Sequence, residues 1–462
     1  MSTDAITSST VTDTVARLRA AFATRRTRPL SWRVAQLAGL ERLLTESEDQ
    51  IAAALAADLG RSGAEAFIGD IGATKAEVAF ARKRLGRWVR PRRVRLPLTG
   101  LPGRGWYQYE PLGVVLVIGP WNYPFYLTLG PLVGALAAGN CVVVKPSEHA
   151  PRSSALLAEL LPRYLDADAV AVLEGDAEVT QSLLAQGLDH AFFTGGTEIG
   201  RHVMRAAGDH LTPVTLELGG KSPVIITATA DLEVAARRIA WLKLMNSGQT
   251  CIAPDYVLVE ASVRERFLEY LTGAISTFRN GDAAAGLRVV NERQFTRLAK
   301  LIDGAGGETL LGGGVDYETM TIQPTVIVDP DPGSDLMSQE IFGPVLPVLT
   351  VDSLQAAIEF VNKGPKPLAA YLFSRRKAEH RAVLDNTSSG GVVINHLAFH
   401  CLTPQLPFGG VGESGIGSYH GRWGFETFSH RKSVVSKPSR PDFSLLYPPY
   451  TDGKLRMIRR FF

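Results

Sequence analysis

The 462-residue chain has an ordinary globular composition, with 45% hydrophobic and 21% charged residues, and is long enough for two or three domains. Its 49 basic and 46 acidic residues give a net charge of +3, which is too even to indicate nucleic acid as the main partner. Three cysteines cannot build a disulfide scaffold, and with the nine histidines they form no zinc pattern, so we expect no bound metal.

The N-terminal segment, residues 1–21, is polar and then amphipathic, and it lacks the apolar centre of a signal peptide. No apolar run in the chain reaches membrane-spanning length. These features predict a cytoplasmic protein without a transmembrane segment.

The first ninety residues have helical patterns. Residues 45–48 and 62–65 both match the capping-box pattern, and each predicts the start of an amphipathic helix. Residues 90–95 are dense in positive charge, for which nucleic-acid binding is one interpretation. Because no aromatic residues are interleaved there, a solvated or subunit-facing arm is favoured.

From Gly113 onward, apolar runs of strand length alternate with helical stretches. The predicted strands cover residues 114–118, 142–145, 169–173 and 191–193, and the predicted helices cover residues 125–138 and 153–165. Continuous apolar strands separated by helices predict a parallel sheet covered on both faces.

A second strand-helix series runs from about residue 223 to about residue 395. In it a helix predicted over residues 231–245 ends just before Cys251. The C-terminal tail, residues 446–462, is basic and aromatic. Contact with a membrane surface is one interpretation of the tail, and docking on the protein itself is favoured.

One glycine motif is rejected as a nucleotide site. Residues 410–415 satisfy the G-x-G-x-x-G expression, but no apolar strand precedes them and no helix pattern follows. The dinucleotide fingerprint needs both contexts.

Cys251 is the candidate nucleophile. It follows Asn246-Ser247-Gly248-Gln249-Thr250, a small, polar, turn-forming run, whereas Cys141 lies in an apolar run typical of a structural cysteine. A reactive cysteine needs partial exposure and nearby dipoles that hold charge on sulfur. A lone cysteine is more often structural, so the surrounding motifs must support this assignment.

Two strand ends suit a dinucleotide. The strand that ends at Lys145 is followed by Glu148, and a carboxylate there suits the ribose hydroxyls of NAD and repels an added 2′-phosphate. Taken alone, such a pair is usually a surface ion pair. The next strand is followed by Gly195, Gly196, Thr197 and Gly200, which allow close backbone approach beside a helix N-terminus.

Two further groups suit acyl chemistry. Glu217 ends an apolar strand, where burial would raise its pKa and let it act as a base near neutral pH; a salt-bridged structural glutamate is the alternative. Asn122 presents an amide on a rigid turn and can donate to an oxyanion, although asparagine in a turn often only satisfies backbone groups. Glu340 and Phe342 lie together on another turn.

Cys251-Ile252-Ala253-Pro254-Asp255 and Tyr447-Pro448-Pro449-Tyr450 resemble the class 3 branch of the aldehyde dehydrogenase family. Seven motifs in order, spread over nearly the whole chain, resemble the family as a whole. They are Pro120-Trp121-Asn122-Tyr123-Pro124, Lys145-Pro146-Ser147-Glu148, Phe193-Thr194-Gly195-Gly196-Thr197, Glu217-Leu218-Gly219-Gly220-Lys221, Gly248-Gln249-Thr250-Cys251-Ile252-Ala253-Pro254, Glu340-Ile341-Phe342-Gly343-Pro344 and Pro407-Phe408-Gly409-Gly410. Some class 3 members carry a C-terminal membrane anchor, and from this sequence we expect none.

The resemblance implies a reaction: oxidation of an aldehyde to a carboxylic acid through a thiohemiacetal and a thioester on Cys251. It implies that Asn122 holds the oxyanion, that Glu217 activates water, and that NAD, with NADP as the alternative, accepts the hydride. It implies cofactor contacts from the residues named above and from Trp121, Leu218, Gly219, Glu340 and Phe342. Tyr123 directly follows Asn122, so we expect its ring to line the aldehyde entrance, with Trp121, Phe399 and His400 close by; packing of these aromatics behind the turn is the alternative. Apolar and aromatic walls favour medium- or long-chain aliphatic or aromatic aldehydes, and the resemblance points the same way.

The implied fold is α/β, with two open parallel-sheet domains and a small bridging element that makes a homodimer. The expected boundaries are 1–90 and 111–217 for the cofactor domain, 218–399 for the catalytic domain, 91–110 and 400–445 for the bridging element, and 446–462 for the tail. Two alternatives stay open: a CoA-acylating dehydrogenase, which the presence of Glu217 disfavours, and a catalytically silent NAD-binding protein of the same fold.

Overall fold

The structure of the protein, a computed structural model, describes residues 8–282 and 285–460. The start of the predicted cofactor domain, residues 1–7, and the end of the predicted tail, residues 461–462, lie outside these ranges. The α-helices of the described ranges are α1 Ser8–Ala23, α2 Leu30–Glu46, α3 Glu48–Leu59, α4 Gly63–Ala66, α5 Gly72–Trp88, α6 Tyr126–Ala138, α7 Pro151–Tyr164, α8 Ala177–Leu184, α9 Thr197–Gly208, α10 Leu232–Leu244, α11 Arg264–Phe278, α12 Glu292–Asp303, α13 Asp335–Ser338, α14 Leu354–Lys363, α15 Lys377–Asn386, α16 Gly421–Thr427 and α17 Asp452–Ile458.

The strands form four sheets. They are β1 Arg92–Val94, β2 Arg104–Pro111, β3 Val114–Ile118, β4 Cys141–Lys145, β5 Val170–Val172, β6 His190–Thr194, β7 Val214–Glu217, β8 Pro223–Ile226, β9 Tyr256–Glu260, β10 Leu287–Arg288, β11 Glu308–Leu311, β12 Val315–Asp316, β13 Thr321–Ile322, β14 Thr325–Val328, β15 Val345–Val351, β16 Ala369–Phe373, β17 Gly391–Ile394, β18 Gly415–Ile416 and β19 Ser429–Ser436.

The first large sheet has the order β18-β7-β6-β3-β4-β5. Strands β3 to β7 run parallel, and only the short edge strand β18 is antiparallel. The central strands β3, β4 and β6 are buried along their whole length, which explains their continuous apolar sequences. The predicted parallel sheet is therefore confirmed, with one antiparallel edge added.

The second large sheet has the order β11-β14-β15-β9-β8-β16-β17. Strands β14, β15, β9, β8, β16 and β17 are parallel to their neighbours, and β11 is an antiparallel edge. Strands β10, β13 and β12 form a separate small antiparallel sheet, and in the sequence they fall between β9 and β14. Two mainly parallel sheets with intervening helices confirm the predicted α/β class.

A separate antiparallel sheet joins distant parts of the chain, in the order β1-β2-β19. Strand β2 pairs with β19 over eight residues, from Pro111 opposite Ser429 to Arg104 opposite Ser436. The basic segment at residues 90–95, expected to be an arm, contributes β1 to this sheet. Its strands fall almost wholly within the predicted bridging segments, but the domain boundaries stay a prediction.

One predicted helix start is wrong. Residue Thr45 lies in the last turn of α2, where its hydroxyl donates to the Glu41 carbonyl at 2.8 Å, and α3 starts after Ser47 without a side-chain cap. The apolar pattern of α2 continues through Leu43 and Leu44, so packing extends that helix past the capping pattern. The second predicted box is correct: Ser62 caps α4 together with Glu65.

Within the described ranges, no helix combines the length and the apolar character that a membrane crossing needs. The tail from Phe443 to Met457 folds into a short turn and α17, and its apolar side chains are exposed in the single chain.

Candidate active site

The parallel order of the first sheet brings four predicted site segments to one edge. Strands β3, β4, β6 and β7 are parallel neighbours, so their carboxyl ends lie side by side. Asn122 follows β3, Lys145 ends β4, Gly195 follows β6 and Glu217 ends β7. Ligands of open α/β sheets bind at this edge.

The second sheet supplies the remaining two segments from the amino ends of its strands. Strands β9 and β15 are parallel neighbours, and the segments that lead into them carry Cys251 and Glu340. A hydrogen bond from the Ile341 N–H to Asp255 Oδ1, at 2.9 Å, ties these two segments together.

The loop of Cys251 has an unusual backbone. Helix α10 ends at Leu244, and the turn Met245–Gly248 follows with Asn246 and Ser247 in the left-handed region, at φ 51° and 57°. Such backbone costs free energy outside glycine and persists where surrounding contacts fix it. Here the Asn246 amide donates to the carbonyl oxygens of Asn122 and Gln249, each at 3.0 Å.

Asn122 is buried and faces the same loop. Its side-chain Nδ2 donates to the Gln249 carbonyl oxygen at 3.1 Å, two residues before Cys251. The predicted oxyanion donor and the predicted nucleophile are therefore held by one hydrogen-bonded assembly. The amide has a second N–H for a further acceptor.

Glu217 is 3% exposed, and neither of its carboxyl oxygens has a hydrogen-bond partner in the part of the chain that the structure describes. Burial raises the pKa of Glu217 well above its ordinary value, against a smaller opposing effect of His420. The salt-bridged alternative for this residue is not observed among the described residues. A buried carboxyl group without an ion-pair partner has the electrostatics of a general base near neutral pH.

The electrostatics at Cys251 differ from the expectation. The residue is half-buried, and burial raises the pKa of its thiol well above the ordinary value, with further increases from Cys401, Glu340 and Glu217. The polar sequence around Cys251 indicated a stabilised thiolate, which was wrong for the resting protein. A base must therefore remove this proton, and Glu217 and Glu340 interact electrostatically with the sulfur.

Cys141 differs from Cys251 as predicted. It lies fully buried in β4, and burial raises the pKa of its thiol to about 12. Cys141 is 0% exposed within the sheet, where no substrate can reach its sulfur, whereas Cys251 is half-buried; Cys141 is therefore a structural residue.

Glu340 faces the glycine pair after Glu217. A Cβ placed on Gly219 would collide with the Glu340 carboxyl group, so this carboxyl group lies directly against the Gly219 backbone and a larger residue there would displace it. Burial, with a smaller contribution from Asp255, raises the pKa of Glu340 to about 8. Phe342, with φ 51°, packs edge-on against the Trp121 ring at 5.3 Å between centroids.

The edge formed by β4 and β6 fits a dinucleotide. Lys145 Nζ donates to Glu148 Oε2 at 2.8 Å; burial opposes ionisation of this carboxyl group, but the Lys145 hydrogen bond gives Glu148 a lowered pKa. Gly196 precedes α9, and a Cβ there would meet no atom within 4 Å, so the helix N-terminus is open to pyrophosphate. Glu340 Oε1, buried and without a partner in the described ranges, suits a ribose hydroxyl.

The other glycine-loop residues have mainly structural contacts. A Cβ on Gly200 would come within 2.5 Å of Leu218 Cδ2, so this glycine lets α9 approach β7 closely. The Gly195 N–H donates to the Glu217 carbonyl at 3.0 Å, and the Thr197 hydroxyl donates to the Glu413 carbonyl at 3.3 Å.

The glycine motif at residues 410–415, rejected as a nucleotide site, pairs with the strand that carries Glu217. It forms a turn and β18, which pairs antiparallel with β7 so that Gly415 lies opposite Glu217. The Leu218 N–H donates to the Ser414 carbonyl at 3.1 Å. The turn and β18 lack the strand-then-helix context that a nucleotide fingerprint needs.

The three predicted pocket residues have different surroundings. Tyr123 is 7% exposed, and its hydroxyl lies 2.7 Å from Thr250 Oγ1, next to Cys251. Phe399 is 49% exposed and packs edge-on against His396 at 4.3 Å. His400 is buried, and burial lowers its pKa to about 4, so its ring is neutral. Their assignment to a pocket stays a prediction.

Sequence reasoning missed two buried groups of ionisable residues behind the site. The first is the ion pair of Arg61 with Asp70, which contacts the Asn122 turn. The second joins Glu77 to His420 at 3.4 Å, with the Tyr126 hydroxyl 3.2 Å from His420 Nε2. Glu77 and His420 are 343 positions apart in the numbering, and no local pattern marks either.

Comparison with known proteins agrees with this geometry. The model of the aldehyde dehydrogenase family matches residues 1–434. Aldehyde dehydrogenase family 3 member A2 of Mus musculus is 45% identical over 452 residues, which cover 97% of this chain and 93% of that protein. The dimeric NADP-preferring aldehyde dehydrogenase of Canis lupus familiaris is 44% identical over 446 residues, covering 96% and 98%.

A solved structure agrees over the same length. The substrate-bound state of Staphylococcus aureus AldH superposes with a TM-score of 0.93 at 40% identity, covering 98% of this chain and 99% of that chain. The family model, the relatives and the solved structure thus all indicate the kind of enzyme that the site described above suits. The chain belongs to the aldehyde dehydrogenase family, and it is an NAD(P)-dependent enzyme that oxidises aldehydes to carboxylic acids.

Proposed function

We propose that Cys251 is the nucleophile of this oxidation, that Asn122 and the Cys251 N–H hold the oxyanion, and that Glu217 is the base for hydrolysis. The observation that supports this most directly is the bond from Asn122 Nδ2 to the carbonyl of Gln249, which places the amide on the loop of Cys251. Glu217, buried and without a partner in the described ranges, lies close enough to raise the pKa of Cys251.

The proposed steps follow from these groups. The ionised form of a nearby carboxyl group takes the proton of Cys251 and passes it to solvent, and the sulfur forms a bond to the aldehyde carbon. The carbonyl oxygen, now negative, accepts from Asn122 Nδ2. NAD(P)+ supplies the acceptor for the hydride that leaves this carbon. Glu217 then takes a proton from water, the water oxygen attacks the thioester carbon, and the sulfur leaves to give the acid.

We further propose that Lys145 and Glu148 bind the adenosine ribose and that Glu340 binds the nicotinamide ribose. The pyrophosphate would lie at the N-terminus of α9, where Gly196 leaves the backbone open. The ion-paired carboxylate of Glu148 supports a modest preference for NAD. The NADP preference in the name of the dog relative makes NADP the competing outcome.

For the substrate, we propose medium- or long-chain aliphatic or aromatic aldehydes. Exposed apolar side chains support this class: Phe67 and Ile68 lie on the turn whose Gly69 contacts the Tyr123 ring, and Phe399 follows β17. Apolar surface of this kind favours longer substrates, by about 0.8 kcal/mol for each buried methylene.

We also propose that the enzyme is a cytoplasmic homodimer. The word dimeric in the name of the dog relative and the separate β1-β2-β19 sheet support the assembly. The small number of cysteines, three in the whole sequence, supports a location in the reducing cytoplasm.

The decisive experiment replaces the nucleophile. Cys251→Ala should abolish NADH formation from aldehydes and any ester hydrolysis together, because both need the acyl-enzyme. Cys141→Ala, which alters a cysteine of β4, is the matched control and should keep most turnover. Aldehyde oxidation by the Cys251→Ala enzyme would refute the assignment.

The same NADH assay separates the alternatives. In wild type, KM should fall from acetaldehyde to longer aldehydes, and turnover should not need CoA. A requirement for CoA would identify an acylating enzyme. Absence of NADH with every aldehyde would identify a silent protein of this fold.

A further inference from the structure

A buried arginine, Arg61, bonds to both segments of the proposed oxyanion site, the turn of Asn122 and the loop of Cys251. Arg61 lies between α3 and α4, 4% exposed, and uses three different nitrogens for three acceptors. Its Nε donates to Asn246 Oδ1 at 2.9 Å, its Nη1 to Asp70 Oδ2 and its Nη2 to the Asn122 carbonyl oxygen. The planar, fixed fork of a guanidinium is suited to holding several acceptors in one arrangement.

Its carboxylate partner is fixed from the other side. Asp70 is fully buried on the π-helical turn Phe67–Ile71, and its Oδ1 accepts from the N–H groups of Phe125 and Tyr126 at 3.0 and 2.8 Å. Asp70 therefore fixes the start of α6, while Arg61 fixes the carbonyl of Asn122 four residues before Tyr126.

The Tyr123 ring closes the assembly. The guanidinium carbon of Arg61 lies 4.1 Å from the centre of this ring. A Cβ placed on Gly69 would lie only 2.8 Å from Cε1 of the same ring, so Gly69 packs closely against Tyr123. The Tyr123 hydroxyl in turn contacts Thr250, next to the nucleophile. The cation, the turn of Asn122 and the loop of Cys251 thus form one packed unit.

From these contacts we infer that Arg61, held by Asp70, is a positioning residue that sets the Asn122 amide against the carbonyl oxygen of the bound aldehyde. This inference rests on the proposed oxyanion role of Asn122. Arg61 bonds to the backbone oxygen of Asn122, so the Asn122 side chain keeps its amide for Gln249 and substrate. A misplacement of about 1 Å at a reacting centre can cost about 100-fold in rate.

The test is a double-mutant cycle on the first chemical step. Arg61→Met should slow the pre-steady-state burst of NADH, normalised to active sites, by about 10- to 100-fold. It should slow hydrolysis of p-nitrophenyl acetate without NAD by a similar factor. In an Asn122→Ala background, Arg61→Met should add less than about 3-fold, because the donor that it positions is already gone.

Two measurements separate positioning from a general loss of structure. The rate of Cys251 alkylation by iodoacetamide should change little in Arg61→Met, because Arg61 does not bond to the sulfur. Arg33→Met removes another buried arginine, which bonds to the Ala137 carbonyl away from this loop, and should lower the thermal midpoint without slowing the burst. Arg61→Lys, which keeps the charge beside Asp70, should recover part of the rate.

If Arg61→Met does not fold, Asp70→Asn tests the same link by removing the charge that holds the guanidinium. If Arg61→Met slows the burst in the Asn122→Ala background by the same factor as in wild type, the inference is overturned and the oxyanion role of Asn122 stands. An unchanged burst in Asn122→Ala alone would overturn both the inference and that role. An alkylation rate that falls as much as the burst would assign Arg61 to the thiol instead.

Discussion

Glu217 and Glu340 are two buried carboxyl groups, one from each large sheet; burial raises the pKa of each, and both raise the pKa of Cys251. Glu217 ends a strand of the first sheet, and Glu340 precedes a strand of the second. Both interact with the sulfur, so a substitution must distinguish the group that serves hydrolysis from the group that serves binding.

Glu217→Gln should leave an NADH burst without steady turnover. The amide keeps the shape of the carboxyl group but cannot take a proton from water, so the thioester accumulates. In wild type, deacylation should rise with pH through the raised pKa of Glu217, because only the ionised form is a base; the variant should lose this rise. Stopped-flow NADH absorbance across pH measures both, and loss of the burst itself would assign Glu217 to deprotonation of Cys251.

Glu340→Gln should change how stability depends on pH. The folded protein keeps the Glu340 proton up to about pH 8, whereas the unfolded chain releases it near its ordinary pKa of about 4.3. Between these values the folded state binds more protons, so the unfolding free energy of wild type falls as pH rises and levels off above about 8. The Gln variant should lack this contribution, worth on the order of a few kcal/mol.

Urea unfolding of the NAD-free enzyme at several pH values measures this difference. The stability of Glu340→Gln relative to wild type should increase between pH 5 and pH 8. Glu269→Gln, on the exposed side of α11, is the matched control and should give a constant difference. A constant difference for Glu340→Gln as well would contradict a protonated Glu340 in the folded protein.

At the scale of elements, the strands were predictable and the contacts between distant elements were not. Strand β3 matches its predicted range, and β4 and β6 differ from theirs by a residue at one or both ends, because burial on both faces gives each a continuous apolar sequence. Motif order then predicted that Cys251, Glu217 and Asn122 form one site. Local sequence carries this information since each motif lies at a strand end or in a turn.

The electrostatics of that site depend on tertiary packing. The polar run before Cys251 gave no sign that burial, the Cys401 thiol and two carboxyl groups would raise the pKa of Cys251. Arg61 and Asp70 lie in a helical stretch where charges are usually solvated, and a π-helical turn directs Asp70 inward. Such groups could not be recognised before the packing of α4 and α6 was known.

The end of β4 should set cofactor choice. Lys145 is nearly buried, while the Glu148 carboxylate that it holds is 39% exposed and able to meet a ribose. Glu148→Gln keeps a hydrogen-bonding side chain but removes the charge that repels a 2′-phosphate, so the ratio of kcat/KM for NAD over NADP should fall several-fold. Glu159→Gln, on α7, is a control that should not alter the ratio. An unchanged ratio in Glu148→Gln would assign the preference to another residue.

At the scale of the whole molecule, each of the four sheets ends in edge strands, and β19 and β17 are two of these. In the described ranges, β19 pairs only with β2 and β17 pairs only with β16. Strand β17 is an apolar strand of the parallel type, yet its four residues are only half-buried. Unpaired edges of this kind are commonly covered by another chain.

We therefore expect a dimer that covers β19. Light scattering after size exclusion should give twice the 49.9 kDa of one chain at micromolar concentration. Val435, on β19, is 61% exposed in the single chain, and Val435→Asp should shift the mass toward the monomer because a charge would be buried in the interface. Leu211→Asp, at an exposed position after α9, should leave the mass unchanged. A wild-type mass of one chain, or a Val435→Asp enzyme that stays dimeric, would show that this edge does not form the interface.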